Sequence, residues 1–508
     1  MNKRLSVLEV ARASNVKLRY LLQNTDIKCP EGLNETNITG ISYDSRKIQK
    51  GNLFICLKGR FTDGHIYAGD AAFRGAAAVI AEKELPLPGT PLFIVEDSRK
   101  ALAQIAANYY GYSNRYISLF GVTGTNGKTT VSYLIKSGLE AWGKSCGLTG
   151  TISYKVGAKE YEAERTTPES LDLQKIFFEL KAQGIGYCVM EVSSHALKLG
   201  RVRDLQFDYS VFTNLSIDHM DFHKDSEEYY QTKKKLFLQT KRAGIINIDD
   251  SSGRRLFEEL RTEKIHARSF SLISSEADYF GEVKEMDEKG ARLAFRFRGR
   301  DVTEIESSLP GRFSLYNILA AAACLHSAGV PAEAVSAGIA LIKGVPGRFE
   351  SVKNNRDIPV IVDFAHTPDA LESVLITAAE MIKGRLICVF GCGGDRDRSK
   401  RAIMGKVAGR YSDYCIVTSD NPRTESQQQI AADIEEGLYE TGCNYEVIED
   451  RRKAIKRALS LYKKGDLILI AGKGHENYQI IGGAKNYFSD KDTVLELIKE
   501  EEGARGEN

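Results

Sequence analysis

The chain has 508 residues, 42% hydrophobic and 27% charged, an ordinary balance for a globular protein and too long for a single hydrophobic core. Its 70 basic and 68 acidic side chains leave a formal charge of +2. No bulk field therefore argues for nucleic acid or an anionic membrane surface, and any anionic ligand must be held by local groups. The opening MNKRLSVLEVARASNVKL is amphipathic and lacks the continuous apolar stretch of a signal peptide, and nothing later reaches the length of a membrane span. Nine cysteines are scattered without a CxxC pair. Together these features predict a cytoplasmic protein with reduced core thiols.

The length suggests about three domains. Residues 1–112 mix short strands and helices, and AAFRGAAAVIAE reads as a helix leading into a strand. Residues 113–345 and 346–508 repeat one pattern: a short apolar run, a polar loop, then a helical period. The runs are Ile117–Val122, Tyr187–Met190, Val211–Phe212, Val360–Val362, Leu386–Phe390, Cys415–Val417 and Leu467–Ile470. This alternation predicts an α/β protein: a small N-terminal α/β domain, a central phosphate-loop domain with a mostly parallel sheet, and a C-terminal Rossmann-like domain. Ligands of such sheets bind beyond the carboxyl ends of the strands, and the distinctive residues lie there.

The strongest motif is Gly121-Val-Thr-Gly-Thr-Asn-Gly-Lys-Thr-Thr130, between an apolar strand and a helix whose face carries Val131, Leu134, Ile135 and Leu139. Glycines let consecutive N–H groups converge on phosphate oxygens, and the helix N-terminus adds its positive dipole end. Gly124, Thr125, Asn126, Gly127, Lys128, Thr129 and Thr130 are the predicted nucleotide-binding residues. Lys128 would reach the β/γ-phosphates and the Thr129 hydroxyl would bind Mg²⁺. Two residues separate Gly124 from Gly127 and five separate Gly121 from it, so the spacing departs from the general phosphate-loop pattern.

Glu191 follows the run Tyr187–Met190, and Asp208–Leu215 leads into Asp218-His-Met-Asp-Phe-His223. Nucleotide phosphates need a divalent cation among their anions, and a hard oxygen ligand such as Glu191 suits Mg²⁺. His219 and His223 have no third ligand at zinc spacing. Further on, Arg396 follows Leu386–Phe390, Asp420-Asn421-Pro422-Arg423 follows Cys415–Val417, and Gly472 and Glu476 follow Leu467–Ile470. Arginine grips a carboxylate bidentately while Asp and Glu accept from an ammonium, so this mixture suits an amino acid with a charged distal end.

The GTNGKTT loop, and the run from Asn214 through His223 followed by Tyr229 and Lys233-Lys234-Lys235, resemble the Mur ligase family, in order and over nearly the whole chain. The resemblance implies an ATP-dependent ligase of peptidoglycan precursor synthesis. A carboxylate becomes an acyl phosphate on ATP, and an amine then displaces phosphate. It implies Lys128, Glu191, His219 and Lys233 as catalytic residues, with Thr129, Glu191, His219 and Lys233, as a carbamate, on Mg²⁺. His366 of Asp363-Phe-Ala-His366 would approach the nucleotide base.

Ser45, Arg60, Phe61, Thr62, Thr166, Thr167, Ser193 and Arg201 fall where the family holds the UDP-linked precursor, whereas Leu199 stands where many members carry glutamine. Asp-Asn-Pro-Arg matches the motif that accompanies meso-diaminopimelate. That acceptor has a second carboxylate for Arg423, with Arg396, Asp420, Asn421, Pro422, Gly472 and Glu476 completing its site. The expected partners are thus UDP-MurNAc-dipeptide, ATP and meso-diaminopimelate, bound by a monomer. The alternatives are a lysine-adding ligase of the family, a folylpolyglutamate synthase-like ligase, or a phosphate-loop regulatory protein that hydrolyses ATP without a carboxylate substrate.

Overall fold

The computed structural model describes residues 15–59 and 62–506. The chain forms two compact units, one comprising residues 1–123, 143–210 and 232–243, the other 124–142, 211–231 and 244–508.

In the first unit, strands Gly40–Ser42, Asn52–Ile55, Ala78–Ala81 and Leu92–Ile94 form a parallel sheet in that order. Leu53, Ile55 and Ile80 pack against Leu102 and Ile105 of helix Ser98–Tyr109, whose first turn is capped by the Asp97 carboxylate. Farther along, Tyr187–Glu191 lies in parallel between Ser118–Thr123 and Cys146–Thr149. The chain leaves Ser118–Thr123 directly into the phosphate loop.

In the second unit, a six-stranded sheet runs Glu350–Ser351, Val360–Asp363, Leu467–Ala471, Leu386–Phe390, Tyr414–Val417 and Asn444–Val447, parallel except for its first pair. Its central strands are near-continuous apolar runs because both faces are covered. Helices Pro368–Glu380, Lys400–Tyr411 and Gln427–Tyr439 pack on one face, and Arg451–Leu461 and residues 490–506 on the other. Thr367, Ser426 and Asp450 start three of these helices as side-chain caps. Parallel strands bring loops 364–367, 391–397, 418–423 and 472–476 together at their carboxyl ends.

The expected strands occur, although the Val211–Phe212 run begins earlier, at Phe207. Tyr279–Asp287, Gly290–Phe297 and Arg300–Ser307 form an antiparallel meander instead of continuing the α/β alternation. All nine cysteines are free thiols, seven of them buried. Among the described residues, no helix is long and apolar enough to cross a membrane.

Candidate active site

The phosphate loop is anchored by the segment after strand Phe207–Phe212. Thr125 N donates to Asn214 O (2.9 Å), Asn126 N to Asn214 Oδ1 (2.9 Å), and the Thr213 hydroxyl to Asn126 O (2.6 Å). Ser216 N donates to the Thr125 hydroxyl (3.0 Å), which also lies 3.2 Å from Tyr229 Oη. Two glycines are required here by space as well as by backbone. Gly127, at φ +86°, caps helix Lys128–Ala141, and a Cβ on it would stand 2.3 Å from Asn317 Oδ1. A Cβ on Gly124 would fall 1.8 Å from Thr213 Oγ1. Lys128 Nζ donates to the carbonyls of Gly124 (3.1 Å) and Thr125 (2.8 Å), so its ammonium lies over the loop. The buried Thr129 hydroxyl accepts from Arg348 Nη2 (3.0 Å).

Asn126, Gly127 and Thr130 open onto a cavity of about 650 Å³, within the range of small-molecule sites. Its walls include Asn317, Arg348, Phe270 and Tyr316. Asn317 and Arg348 went unnoticed in the sequence. Arg348 lies in Pro-Gly-Arg-Phe-Glu, which read only as a domain start. His366 is not among the lining residues, whereas its neighbours Phe364 and Ala365 are. Its Nδ1 lies 2.8 Å from Phe364 O and its ring packs edge-on to Phe364. Burial, reinforced by the Lys400 ammonium, lowers its pKa to about 4, so the imidazole is neutral at pH 7.

His219 adopts a left-handed backbone (φ +60°), and its Nε2 lies 3.2 Å from Asp218 Oδ2. Burial opposes ionisation of Asp218, but His219, His366 and Lys400 outweigh it and hold the carboxyl well below its usual range. His223 is buried against Phe222 and Tyr229, a packing role. Among the described residues no three His, Cys, Asp or Glu side chains gather as a Zn²⁺ cage would need. Isolated hard-oxygen donors such as the Thr129 hydroxyl fit Mg²⁺, which keeps waters and substrate phosphates as its other ligands.

In the first unit Glu191 is 1% exposed, with Oε1 accepting from Thr151 N and Oε2 from the Thr151 hydroxyl, both at 2.9 Å. The Thr151 hydroxyl also lies 3.1 Å from that of Thr166. The Thr167 hydroxyl donates to Glu191 O (2.8 Å) and accepts from Ser193 N (3.1 Å), while the Ser193 hydroxyl caps helix Ser194–Lys198. Arg201 donates to Thr167 O (3.1 Å) and pairs with the buried Glu169 (2.8 Å), which also binds Arg99 (2.9 Å). Thr166, Thr167, Ser193, Arg201 and Glu191 thus form one connected network.

The three lysines of helix Ser226–Leu238 separate cleanly. Lys233 is 1% exposed, Lys234 half-buried and Lys235 exposed. Ser45 is buried in the turn Ser45–Lys47, capped by Asp44. Thr62 is exposed and its carbonyl accepts from Gly59 N (2.8 Å). Arg60 and Phe61 lie outside the described residues.

Beyond the carboxyl ends of the six-stranded sheet, Arg423 Nη1 donates to Gly394 O (2.7 Å), and the Arg423 backbone N–H to Ile480 O (3.0 Å). The guanidinium is thereby held against the Gly393–Arg396 loop, where a Cβ on Gly393 would lie 3.0 Å from Nη1 and 3.7 Å from Arg396 Cγ. Asn421 Nδ2 donates to Glu476 Oε2 (2.9 Å), which also accepts from the buried Lys473 (3.1 Å). Gly472, at φ +112°, allows Asp420 close approach, since a Cβ there would stand 2.7 Å from Asp420 Oδ2. The structure therefore brings Arg396, Asp420, Asn421, Arg423, Gly472 and Glu476 together, with Pro422 buried beneath Gly394. Nearby, Gly347 and Gly474 meet backbone to backbone: a Cβ on Gly347 would lie 2.0 Å from His475 N, and one on Gly474 2.6 Å from Gly347 O.

The chain is 44% identical over 95% of its length, and 99% of the relative's, to a protein of Alkaliphilus oremlandii (strain OhILAs) named UDP-N-acetylmuramoyl-L-alanyl-D-glutamate–2,6-diaminopimelate ligase. Residues 37–110 match the Mur ligase family catalytic domain, 122–325 the Mur ligase middle domain, and 347–474 the Mur ligase glutamate ligase domain. The chain belongs to the Mur ligase family. Among solved structures, this Mur ligase resembles one bearing the same name as the Alkaliphilus protein, at 32% identity and TM-score 0.65, covering 96% of this chain and 100% of that one. It also shares its fold with Mycobacterium tuberculosis folylpolyglutamate synthase complexed with ADP, at 19% identity and TM-score 0.63. That likeness covers 74% of this chain and 92% of the other.

Proposed function

We propose that this Mur ligase joins meso-diaminopimelate to the D-glutamate γ-carboxylate of UDP-MurNAc-L-Ala-D-Glu, using ATP through an acyl phosphate. The observation that carries the acceptor is the Arg423 guanidinium anchored to Gly394 O, in a loop that also carries Asp420 and is bonded through Asn421 to Glu476. It supplies a cation for a distal carboxylate and anions for ammonium groups. Lysine has no such carboxylate, and a partly buried arginine left unpaired is costly. The names carried by the 44% relative and by the 32% solved structure support the same acceptor.

In this reading Lys128 and the loop amides of Gly124–Thr130 hold the ATP phosphates. Ser45, Arg60, Phe61, Thr62, Thr166, Thr167, Ser193 and Arg201 serve the nucleotide precursor, with Thr167 and Ser193 acting through the Glu191 network. His366 belongs to the ATP side through Phe364. Thr129, Glu191, His219 and Lys233, as a carbamate, would hold Mg²⁺, which when bound neutralises the phosphate and carboxylate anions brought together. The Arg423 loop orients the zwitterion so that one amine faces the activated carbonyl. The enzyme is taken to be cytoplasmic and monomeric.

Phosphate release measured with purified precursor nucleotide, ATP and a panel of amino acids tests the proposal. Release with meso-diaminopimelate and little with L-lysine is expected. The reverse pattern refutes the role given to Arg423, and ATP turnover without any carboxylate substrate refutes the ligase reading.

A further inference from the structure

A buried ion pair between two helices that cover the six-stranded sheet takes no part in the chemistry proposed above. Arg451 and Asp490 are both 0% exposed and joined by two parallel bonds, Nε to Oδ1 (2.7 Å) and Nη2 to Oδ2 (2.8 Å). Stability alone does not explain such a pair, because well-packed apolar side chains often serve as well or better. Helix chemistry explains only half of it: Asp490 opens the helix of residues 490–506, where the dipole favours an anion, but Arg451 opens helix Arg451–Leu461, where it disfavours a cation.

The remaining guanidinium hydrogens point to a different role. Nη1 donates to Ser419 O (3.3 Å) and Nη2 to Ala471 O (2.9 Å). These carbonyls immediately precede Asp420 and Gly472. The strands leading to them, Tyr414–Val417 and Leu467–Ala471, are not neighbours, since Leu386–Phe390 lies between them. Two strand spacings, about 10 Å, separate them, so the two strands share no ladder, and the loops beyond them are tied farther out by the Asn421–Glu476 bond and by a bridge of Arg423 to Ile480 and Gly482. Arg451 bridges that gap over the end of the intervening strand. Gln479 Nε2 adds bonds to Ser419 O (3.3 Å) and Asp420 O (2.9 Å).

We infer that Arg451, oriented by Asp490, is a positioning residue for the amino-acid site. It fixes loop 419–423 against loop 471–476 so that Asp420, Arg423 and Glu476 meet the incoming zwitterion in one geometry. The inference rests on reading those loops as the diaminopimelate site.

Two variants test it. Arg451→Met combined with Asp490→Leu replaces the pair by apolar side chains and removes both carbonyl contacts without stranding a charge. Arg451→Lys keeps a cation for Asp490 but cannot span both carbonyls. Each is expected to raise KM for diaminopimelate about tenfold or more, because a displacement near 1 Å at a reacting site costs on the order of 100-fold. KM for ATP and for the precursor nucleotide should stay within about twofold. If the double variant fails to fold, the lysine variant carries the test.

A folded variant with an unchanged amino-acid KM, or with all three KM values raised together, overturns the inference. Should wild-type protein use a different amino acid, the substrate reading falls alone, and the same KM comparison on that amino acid decides the positioning role. No release with any amino acid overturns both.

Discussion

Gly127→Ala separates the two demands on the phosphate loop. Gly127 sits at φ +86°, where a β-carbon costs roughly 1–2 kcal/mol. That carbon would also stand 2.3 Å from Asn317 Oδ1, against about 3.4 Å for ordinary contact, so loop and asparagine must part by about 1 Å. Asn317 lines the cavity, and a misplacement of that size costs on the order of 100-fold in rate. Gly143 supplies the control: it has φ +76° and nothing within 4 Å of the point a β-carbon would occupy, so alanine there bears the backbone cost without the collision. Phosphate release at varied ATP, with thermal melts of both variants, is the assay. Gly127→Ala should lose about 100-fold in kcat/KM for ATP, while Gly143→Ala loses similar stability and keeps activity. If Gly127→Ala retains kcat/KM within about threefold, or Gly143→Ala falls equally far, the steric argument is refuted.

Three further outcomes are expected. Arg423→Lys keeps the charge but loses the fork, forfeiting about 1.5–3 kcal/mol, so KM for diaminopimelate should rise some ten- to hundredfold with ATP use intact. Equal defects for both substrates would count against separate sites. Glu169→Gln leaves the half-buried Arg99 and Arg201 facing a neutral amide and should cost about 3–5 kcal/mol in a denaturation experiment. Burial opposes ionisation of Glu169, but Arg201 and Arg99 prevail and hold its folded pKa below the usual value. Its contribution is therefore present above the unfolded carboxylate pKa and lost as pH falls through the folded one, and the variant should lack that part of the acid transition. His366, with a folded pKa of about 4, lies below the ordinary histidine value near 6.5. The unfolded chain then binds the proton first, and stability falls as pH drops from about 6.5 toward 4. An imidazole NMR resonance titrating near 6.5 would falsify this assignment.

The parallel sheets were legible because strands buried on both faces are written as unbroken apolar runs, as in Leu386–Phe390 and Leu467–Ala471. The meander from Tyr279 to Ser307 was not, because its long, half-exposed strands mix charges with apolar residues and blur the alternation, although Gly290 and Gly299 mark its turns. Glycine-rich loops and charged residues at strand ends marked much of the site. Arg348 and Asn317 escaped because each sits in a segment whose local chemistry, a Pro-Gly turn or a helix face, explains it without a ligand. The lysine run shows the reverse limit. Composition marks three equivalent ammonium groups, and only the helix's orientation in the fold buries Lys233 and exposes Lys235.

The contact between Gly347 and Gly474 has a mechanical consequence. Side chains usually cushion the approach of two loops and let mutation retune it by a methyl group at a time. Here main chain bears directly on main chain, so there is nothing to trim. One residue from this seam stands Arg348, on the cavity wall, and two residues from it stands Glu476, beside Asn421. The two neighbourhoods share a rigid fulcrum, and neither can be remodelled at that point without shifting the other.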